Sequence, residues 1–180
     1  LRAHTRDAEL PESFEILDAN DQYRLIRRIL KELNLDEDYW PPRQIQWFIN
    51  HHKDGGRRPG HLEDSDDVQQ QTMFRVYVHY EQMCQRFGLV DFAELLLRTF
   101  ELMQNNELLR EFYRERFHHI LVDEFQDTNE IQSQWLKMLA EPRNHIVAVG
   151  DDDQSIYGWR GAEVENMVQF QRDYPGTAII

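Results

Sequence analysis

Residues 119–130 read HILVDEFQDTNE, and they decide the fold of the second half of the chain. The stretch opens with a short apolar run, and two acids, Asp123 and Glu124, follow it directly. A second apolar run, IVAV, occupies residues 146–149 and is followed by a glycine and an aspartate. Short apolar runs separated by helical segments are typical of parallel strands that are buried on both faces of a sheet. The sequence from residue 118 onward is therefore predicted to contain a β-α-β-α-β unit.

Residues 1–117 carry a different pattern, because their apolar side chains recur at the spacing of amphipathic helices. Within this region, the glycines, the proline and the charges of residues 53–67 predict an exposed loop. The predicted fold class is α/β and mostly helical, with a helical domain at 1–117 and part of a parallel α/β sheet at 118–180. The predicted helices cover 21–33, 43–51, 68–87, 91–103, 107–116, 129–140 and 162–172, and a third strand is predicted at 177–180.

The composition argues against several classes of protein. Hydrophobic residues make up 41% of the 180, enough for a packed core, but no apolar run approaches the length of a membrane span. The net charge of -13 argues against a protein that coats duplex DNA, which would be basic. The single cysteine, Cys84, excludes an internal disulfide and is typical of a reducing cytoplasm. Because the chain starts at Leu1 rather than at Met, we expect it to be part of a longer protein.

The acids that follow the two apolar runs are candidates for a metal-dependent site. Ligands bind beyond the carboxyl ends of parallel strands, where Asp123, Glu124 and Asp151 are expected to meet. One carboxylate can bind Mg²⁺, which prefers hard oxygen ligands, and another can orient or deprotonate a water molecule. The same acids could instead be solvated strand ends or, together with Asp127, the ligands of a two-metal nuclease. The presence of acid after both runs favours a functional site over solvated strand ends.

The segment GDDDQSIYGWRGA at 150–162 combines acids, an amide, two aromatic residues and a cation. The amide of Gln154 can donate a hydrogen bond to a phosphate oxygen and accept one from water. The rings of Tyr157 and Trp159, which Arg160 follows, can stack on any nucleobase. Two nearby glycines favour an exposed turn over a core position. The segment therefore indicates a link between a nucleotide site and a nucleic-acid site.

Two long motifs carry a resemblance to a known family. The stretches VDEFQDTN and VGDDDQSIYGWRGA resemble motifs II and III of the superfamily 1 DNA helicases of the UvrD/Rep type. The stretch GLVDFAELLLR at 88–98 is similar to one that these proteins carry before motif II, and the order and spacing agree over essentially the whole chain. The resemblance implies that residues 1–117 match the inserted helical domain 1B, and that residues 118–180 match the second half of the RecA-like domain 1A.

The resemblance also implies an activity and its partners. The longer protein would be a 3′-to-5′ DNA helicase that couples MgATP hydrolysis to movement along single-stranded DNA and to duplex unwinding. ATP and Mg²⁺ would be its cofactors. Single-stranded and forked DNA would be its substrates, and repair proteins would be further partners. The implied setting is DNA repair or replication at the nucleoid, in the bacterial cytoplasm.

The family's roles fall on individual residues of this sequence. Asp123 would bind the Mg²⁺ of MgATP, and Glu124 would polarise the attacking water. Gln154 would contact the γ-phosphate and couple it to DNA. The DNA-binding candidates are Tyr157 and Trp159 by stacking, Arg160 by contact or coupling, and Lys53, Arg57 and Arg58 as ligands of duplex phosphates, with a solvated linker as the alternative for these last three.

One family element does not occur in these 180 residues. None of the eight glycines precedes a Lys-Ser or Lys-Thr pair, so the sequence holds no phosphate loop of the G-x-x-x-x-G-K-[ST] type. That loop supplies backbone N–H groups and a lysine to the phosphates of ATP. We therefore expect the 180 residues alone neither to hydrolyse ATP nor to unwind DNA. A metal-dependent nuclease and a non-catalytic module that binds DNA or protein remain the alternatives.

Overall fold

The computed structural model describes residues 1–61, 66–140, 145–151, 170 and 172–178. Its described part is mostly helical and holds two small parallel sheets, in agreement with the predicted α/β class. The elements in chain order are β1 (Glu15–Leu17), α1 (Ala19–Glu32), α2 (Pro42–Asp54), α3 (Val68–Phe87), β2 (Leu89–Asp91), α4 (Phe92–Asn105), α5 (Glu107–Arg116), β3 (His119–Val122), α6 (Glu130–Leu139) and β4 (His145–Ala148).

The chain forms two units, Leu1–Thr99 and Phe100–Ile180. The division falls inside α4, so α5 belongs to the second unit, although the predicted boundary at residue 117 groups it with the preceding helices. The assignment of family domains to 1–117 and 118–180 stays a prediction. In the part of the chain that the structure describes, no helix combines the length and the apolarity that a membrane span requires.

Local signals in the sequence account for the helix ends of the first unit. The carboxylate of Asp18 caps α1 by accepting hydrogen bonds from the N–H groups of Asn20 at 2.7 Å and Asp21 at 2.8 Å. Helix α3 ends at Gly88, whose φ of 65° lies in the left-handed region that glycine adopts without strain. The five helices predicted before residue 117 are therefore confirmed, with bounds that differ by a few residues.

The core of the first unit lies where the apolar faces of α1, α2 and α3 meet. Strands β1 and β2 pair in parallel beside it, from Glu15 opposite Leu89 to Leu17 opposite Asp91, and this small sheet was not predicted. Its strands have three residues each, too few for a periodic signal. The side chains at the centre of the core are Ile26, Ile29, Leu30, Ile45, Ile49, Val76, Tyr77 and Tyr80.

In the second unit, β3 and β4 are parallel, as predicted, with His119 opposite His145 and Val122 opposite Ala148. One face of this pair packs on a cluster formed by Phe125, Leu136 and Phe170. The opposite face is open, because its side chains stay solvent-exposed: Leu121, Val147 and Val149 at 80%, 54% and 60%.

The expectation of strands buried on both faces is therefore wrong for the described residues. Side chains alternate between the two faces of a strand, and only one set meets the cluster around Phe125. The helix at 129–140 is confirmed as α6. The helix predicted at 162–172 and the strand predicted at 177–180 lie largely outside the described residues.

The predicted exposed loop at 53–67 is partly wrong. Lys53 belongs to the last turn of α2, and its side chain is only 1% exposed. Arg58 is also partly buried, whereas Arg57 is exposed. The clustered glycines and charges follow the end of α2, but Lys53, the first cation of the segment, is buried inside the protein.

Candidate functional site

The candidate site lies at the edge of the sheet where β3 and β4 end. Past the last paired residues, the N–H of Val149 donates to the carbonyl of Val122 at 2.8 Å, and the N–H of Phe125 donates to the carbonyl of Val149 at 3.0 Å. These two bonds carry the pairing beyond both strands. They hold the turn with Asp123 and Glu124 beside the segment that leads to Asp151.

The backbone at Glu124 has a conformation that few non-glycine residues adopt. Its φ of 51° and ψ of 44° lie in the left-handed region, and its N–H donates to Oδ1 of Asp123 at 3.0 Å. A single-turn 3₁₀ helix, Phe125–Asp127, follows at once. Sparsely populated backbone conformations persist where the surroundings impose them, and they concentrate at functional sites. The sharp turn leaves both carboxylates at the solvent-exposed rim of the sheet.

Gln126 connects the two strand ends through its side chain. Its Nε2 donates to Oε2 of Glu124 at 2.6 Å, and its Oε1 accepts from the N–H of Asp151 at 3.0 Å. Both ends of the amide are thus satisfied, and the side chain is only 1% exposed. Sequence reasoning missed this residue. The sequence offered one signal for it: Gln126 lies two positions after Glu124, in the short segment that follows the apolar run.

Three sets of contacts support the floor of the site. The ring of Phe125 is buried and meets Phe170 edge to face, with ring centroids 5.0 Å apart. The hydroxyl of Thr128 donates to the carbonyl of Phe125 at 2.7 Å. Asn129 and Gln132 form a reciprocal capping box with two bonds of 3.0 Å, which starts α6. These contacts hold the turn that carries the acids at the rim.

Two features of the acids bear on metal binding. Asp123 and Glu124 are exposed carboxylates, whose hard oxygens suit Mg²⁺. Oδ1 of Asp127 is buried and has no hydrogen-bond partner in the structure. Within the described residues, however, no three side chains of the His, Cys, Asp and Glu types come together as a metal cage. The donor set therefore fits an Mg²⁺ ion that takes one or two carboxylates and fills its remaining positions from water and phosphate, rather than a closed protein site.

The remaining predicted residues of motif III are Gln154, Tyr157, Trp159 and Arg160. All four lie outside the described residues. Their roles at the γ-phosphate and on DNA bases therefore stay predictions.

The basic residues predicted to contact duplex phosphates have other partners. The ammonium of Lys53 lies 2.9 Å from Asp91 and Glu94 and 3.0 Å from Glu81. Burial alone would lower the pKa of Lys53, but these three carboxylates outweigh it and raise the pKa well above its ordinary value. Lys53 is thus a permanently charged, internal residue, and its proposed phosphate contact is not available in this structure.

Arg58 belongs to the same buried network. Its guanidinium lies 2.7 Å from Glu81 and 2.8 Å from Glu94, and Arg98 reaches Glu94 at 2.7 Å. Of the three basic candidates, Arg57 alone has an exposed side chain. We name this group of six residues the internal ion network; it consists of Lys53, Arg58, Arg98, Glu81, Asp91 and Glu94.

Comparison with known proteins agrees with the motifs. The chain is 55% identical to DNA helicase II of Escherichia coli (strain K12) over all 180 residues, which cover 25% of that protein. It is 52% identical to DNA helicase II of Haemophilus influenzae over 99% of the chain and 25% of the relative. It is 36% identical to the ATP-dependent DNA helicase PcrA of Leuconostoc citreum over 98% of the chain and 24% of the relative. The chain therefore spans about a quarter of the length of these relatives.

The sequence model of the UvrD/REP helicase N-terminal domain matches residues 1–175. This match includes both acid-bearing strand ends and the whole helical region before them. The chain therefore belongs to the UvrD/REP helicase family, to the N-terminal domain.

Proposed function

We propose that this chain is the part of an ATP-dependent DNA helicase that holds the hydrolytic carboxylates. The observation that carries the proposal is the placement of Asp123 and Glu124 at the end of β3, tied by Gln126 to the end of β4. Two relatives named ATP-dependent DNA helicase, 36% and 35% identical to this chain, support the use of ATP. The finer assignment of 118–180 to a RecA-like domain 1A and of 1–117 to domain 1B is part of the same proposal.

The chemistry proposed for each residue comes from the family resemblance, and the surroundings of the residue support it. Asp123, exposed at the rim, would hold Mg²⁺, which when bound would neutralise charge on the phosphates of ATP. Glu124 would orient a water molecule and accept its proton as the water attacks the γ-phosphorus, while the bond from that phosphorus to the bridging oxygen breaks and ADP leaves. The turn at Glu124 presents its carboxylate beyond the strand, where a bound phosphate would be accessible. The phosphate cradle itself must come from outside these 180 residues, since they contain no phosphate loop.

The helicase cycle would use the segment after β4 as its link to DNA. Gln154 would contact the γ-phosphate, and Tyr157, Trp159 and Arg160 would engage single-stranded DNA. Hydrolysis would then drive 3′-to-5′ movement and unwinding of forked DNA in repair or replication. The isolated 180 residues would not perform this reaction. ATP turnover by the purified chain that disappears in Glu124→Gln would contradict that statement.

The test uses the full-length protein. Glu124→Gln keeps the shape of the side chain but removes its ability to accept a proton. DNA-stimulated ATP turnover should fall by about 100-fold or more, the usual contribution of a general base, while MgATP binding persists. Glu115→Gln is the matched control, because Glu115 is an exposed glutamate of α5 and does not belong to the turn after β3. Turnover that stays within about twofold of the wild type in Glu124→Gln would refute the proposal.

A further inference from the structure

The side chain of Gln126 makes a contact that the proposed hydrolytic roles do not use. Its amide is buried in the turn after Glu124. The amide nitrogen donates to the carboxylate of Glu124, and the amide oxygen accepts from the backbone N–H of Asp151. A buried amide with both ends satisfied cannot rotate without losing two hydrogen bonds. The contact therefore fixes one oxygen of Glu124 relative to the end of β4.

We propose that Gln126 is a positioning residue that sets the carboxylate of Glu124 for attack on ATP and ties that position to the start of the loop at Asp151. This inference rests on the proposed function. A glutamate side chain at an exposed rim has three rotatable bonds, and it would sample several rotamers without a fixed partner. The bond from Nε2 engages Oε2 and leaves the second carboxylate oxygen free to accept a proton from water.

The chemistry of the amide suits this task better than a cation would. A lysine or arginine at this position would neutralise the carboxylate and weaken it as a base, whereas an amide donates a hydrogen bond without adding charge. The other end of the same amide accepts from Asp151, the first residue of the acidic loop after Gly150. A displacement of that loop start would therefore move Gln126, and with it the carboxylate of Glu124.

The experiment compares variants of the full-length protein in steady-state ATP turnover at saturating single-stranded DNA. Gln126→Leu removes both hydrogen bonds at similar volume. Gln126→Glu keeps the acceptor for Asp151 but replaces the donor by a second carboxylate beside Glu124. We expect kcat to fall at least about 10-fold in both variants, because transition-state positioning by catalytic groups has effects of this order or larger. KM for ATP should change less than about threefold, since the buried amide of Gln126 is engaged with Glu124 and Asp151 and is not presented at the rim.

Gln134→Leu is the matched control. Gln134 is an exposed glutamine of α6 whose Nε2 donates to Oε1 of Glu130 at 3.1 Å, so the kcat of this variant should stay within about twofold of the wild type. Thermal unfolding identifies a variant that fails to fold. If Gln126→Leu unfolds, the near-isosteric Gln126→Glu decides the question. A folded Gln126 variant with wild-type kcat, or one that raises KM with kcat unchanged, would overturn the inference.

A double variant separates this inference from the proposed function. If Gln126 acts through Glu124, adding Gln126→Leu to Glu124→Gln should lower kcat no further than Glu124→Gln alone. Additive losses would mean that Gln126 acts elsewhere, and would overturn the inference. If Glu124→Gln itself retains activity, the proposed function fails. If Glu124→Gln is inactive while Gln126→Leu retains full activity, only the positioning role fails.

Discussion

Replacing Lys53 by methionine tests whether the internal ion network is held together by its most buried cation. Methionine fills a similar volume but leaves the surrounding carboxylates without the ammonium. Glu94 keeps Arg58 and Arg98, and Glu81 keeps Arg58. Asp91 keeps only neutral donors, among them the hydroxyl of Tyr80 at 2.7 Å and the N–H of Glu94 at 2.7 Å. One carboxylate that is 3% exposed therefore loses its only cation.

The expected loss in the free energy of unfolding depends on how many carboxylates are left without a cation. Removing one partner of a buried ion pair costs about 3–5 kcal/mol in the free energy of unfolding. Because two of the three carboxylates retain arginine partners, we expect the lower end, about 3 kcal/mol. That loss is a large share of the roughly 5–15 kcal/mol by which a domain is stable. Asp91→Asn added to Lys53→Met removes the orphaned charge and should recover part of the loss.

Urea unfolding of the chain, followed by far-UV circular dichroism, gives the free energy by linear extrapolation. Arg27→Met is the matched control, because Arg27 forms a 2.7 Å pair with Glu37 that is exposed on both sides. Water screens an exposed pair, which therefore contributes little to stability, so this variant should unfold nearly like the wild type. Equal losses in Lys53→Met and Arg27→Met, or no rescue by Asp91→Asn, would refute the reasoning.

The same network predicts a pH dependence. Burial raises the pKa of Glu94, but Lys53, Arg58 and Arg98 outweigh it and lower the pKa to about 2 from the ordinary 4.5. A carboxylate whose pKa is lower in the folded state stabilises the protein above the unfolded value, and this stabilisation is lost as the pH falls from about 4.5 through about 2. Lys53→Met should move that loss to higher pH.

Three further changes have expected outcomes. Burial is the largest of the causes that lower the pKa of His52 to about 4, so the stability of the fold should fall as the pH drops from about 6.5 to 4. In His52→Phe the melting temperature should depend less on pH over that range. Gly88→Ala should cost at least about 1 kcal/mol in urea unfolding, because φ is 65° and a Cβ would lie 2.7 Å from Cγ of Pro11. Asn129→Ala should cost about 1 kcal/mol by removing the capping bond to Gln132, measured as faster amide exchange at the start of α6.

The parallel pair β3 and β4 could be predicted from the sequence because two signals mark each strand, an apolar run and the polar residues that follow it. An apolar run gives the strand, and the polar residues that follow give the edge where Asp123 and Glu124 lie. The open face of the sheet could not be predicted, because the run HILV reads the same whether one face is covered or both. Gln126 was missed for a related reason. Its importance comes from the approach of Asp151, a residue 25 positions away, and not from local spacing.

The internal ion network was missed because the sequence around Lys53 indicates an exposed segment. Lys53 precedes an aspartate and two glycines, a context typical of a solvated helix end. Its three partners come from α3, β2 and α4, far along the chain. Charged side chains are rarely buried without partners, so no local rule assigns a lysine to the interior until those partners are known.

The network also changes what the charge balance says about DNA binding. The chain has 20 basic and 33 acidic side chains, and three of those cations, Lys53, Arg58 and Arg98, are engaged with carboxylates inside the first unit. Because carboxylates already neutralise these three cations, the surface of this unit offers fewer contacts to nucleic-acid phosphates than its composition suggests. Binding that relied on many phosphate contacts would show a steep dependence on salt. The proposed stacking of Tyr157 and Trp159 on bases does not depend on these three cations, because an aromatic face binds a base without a phosphate contact.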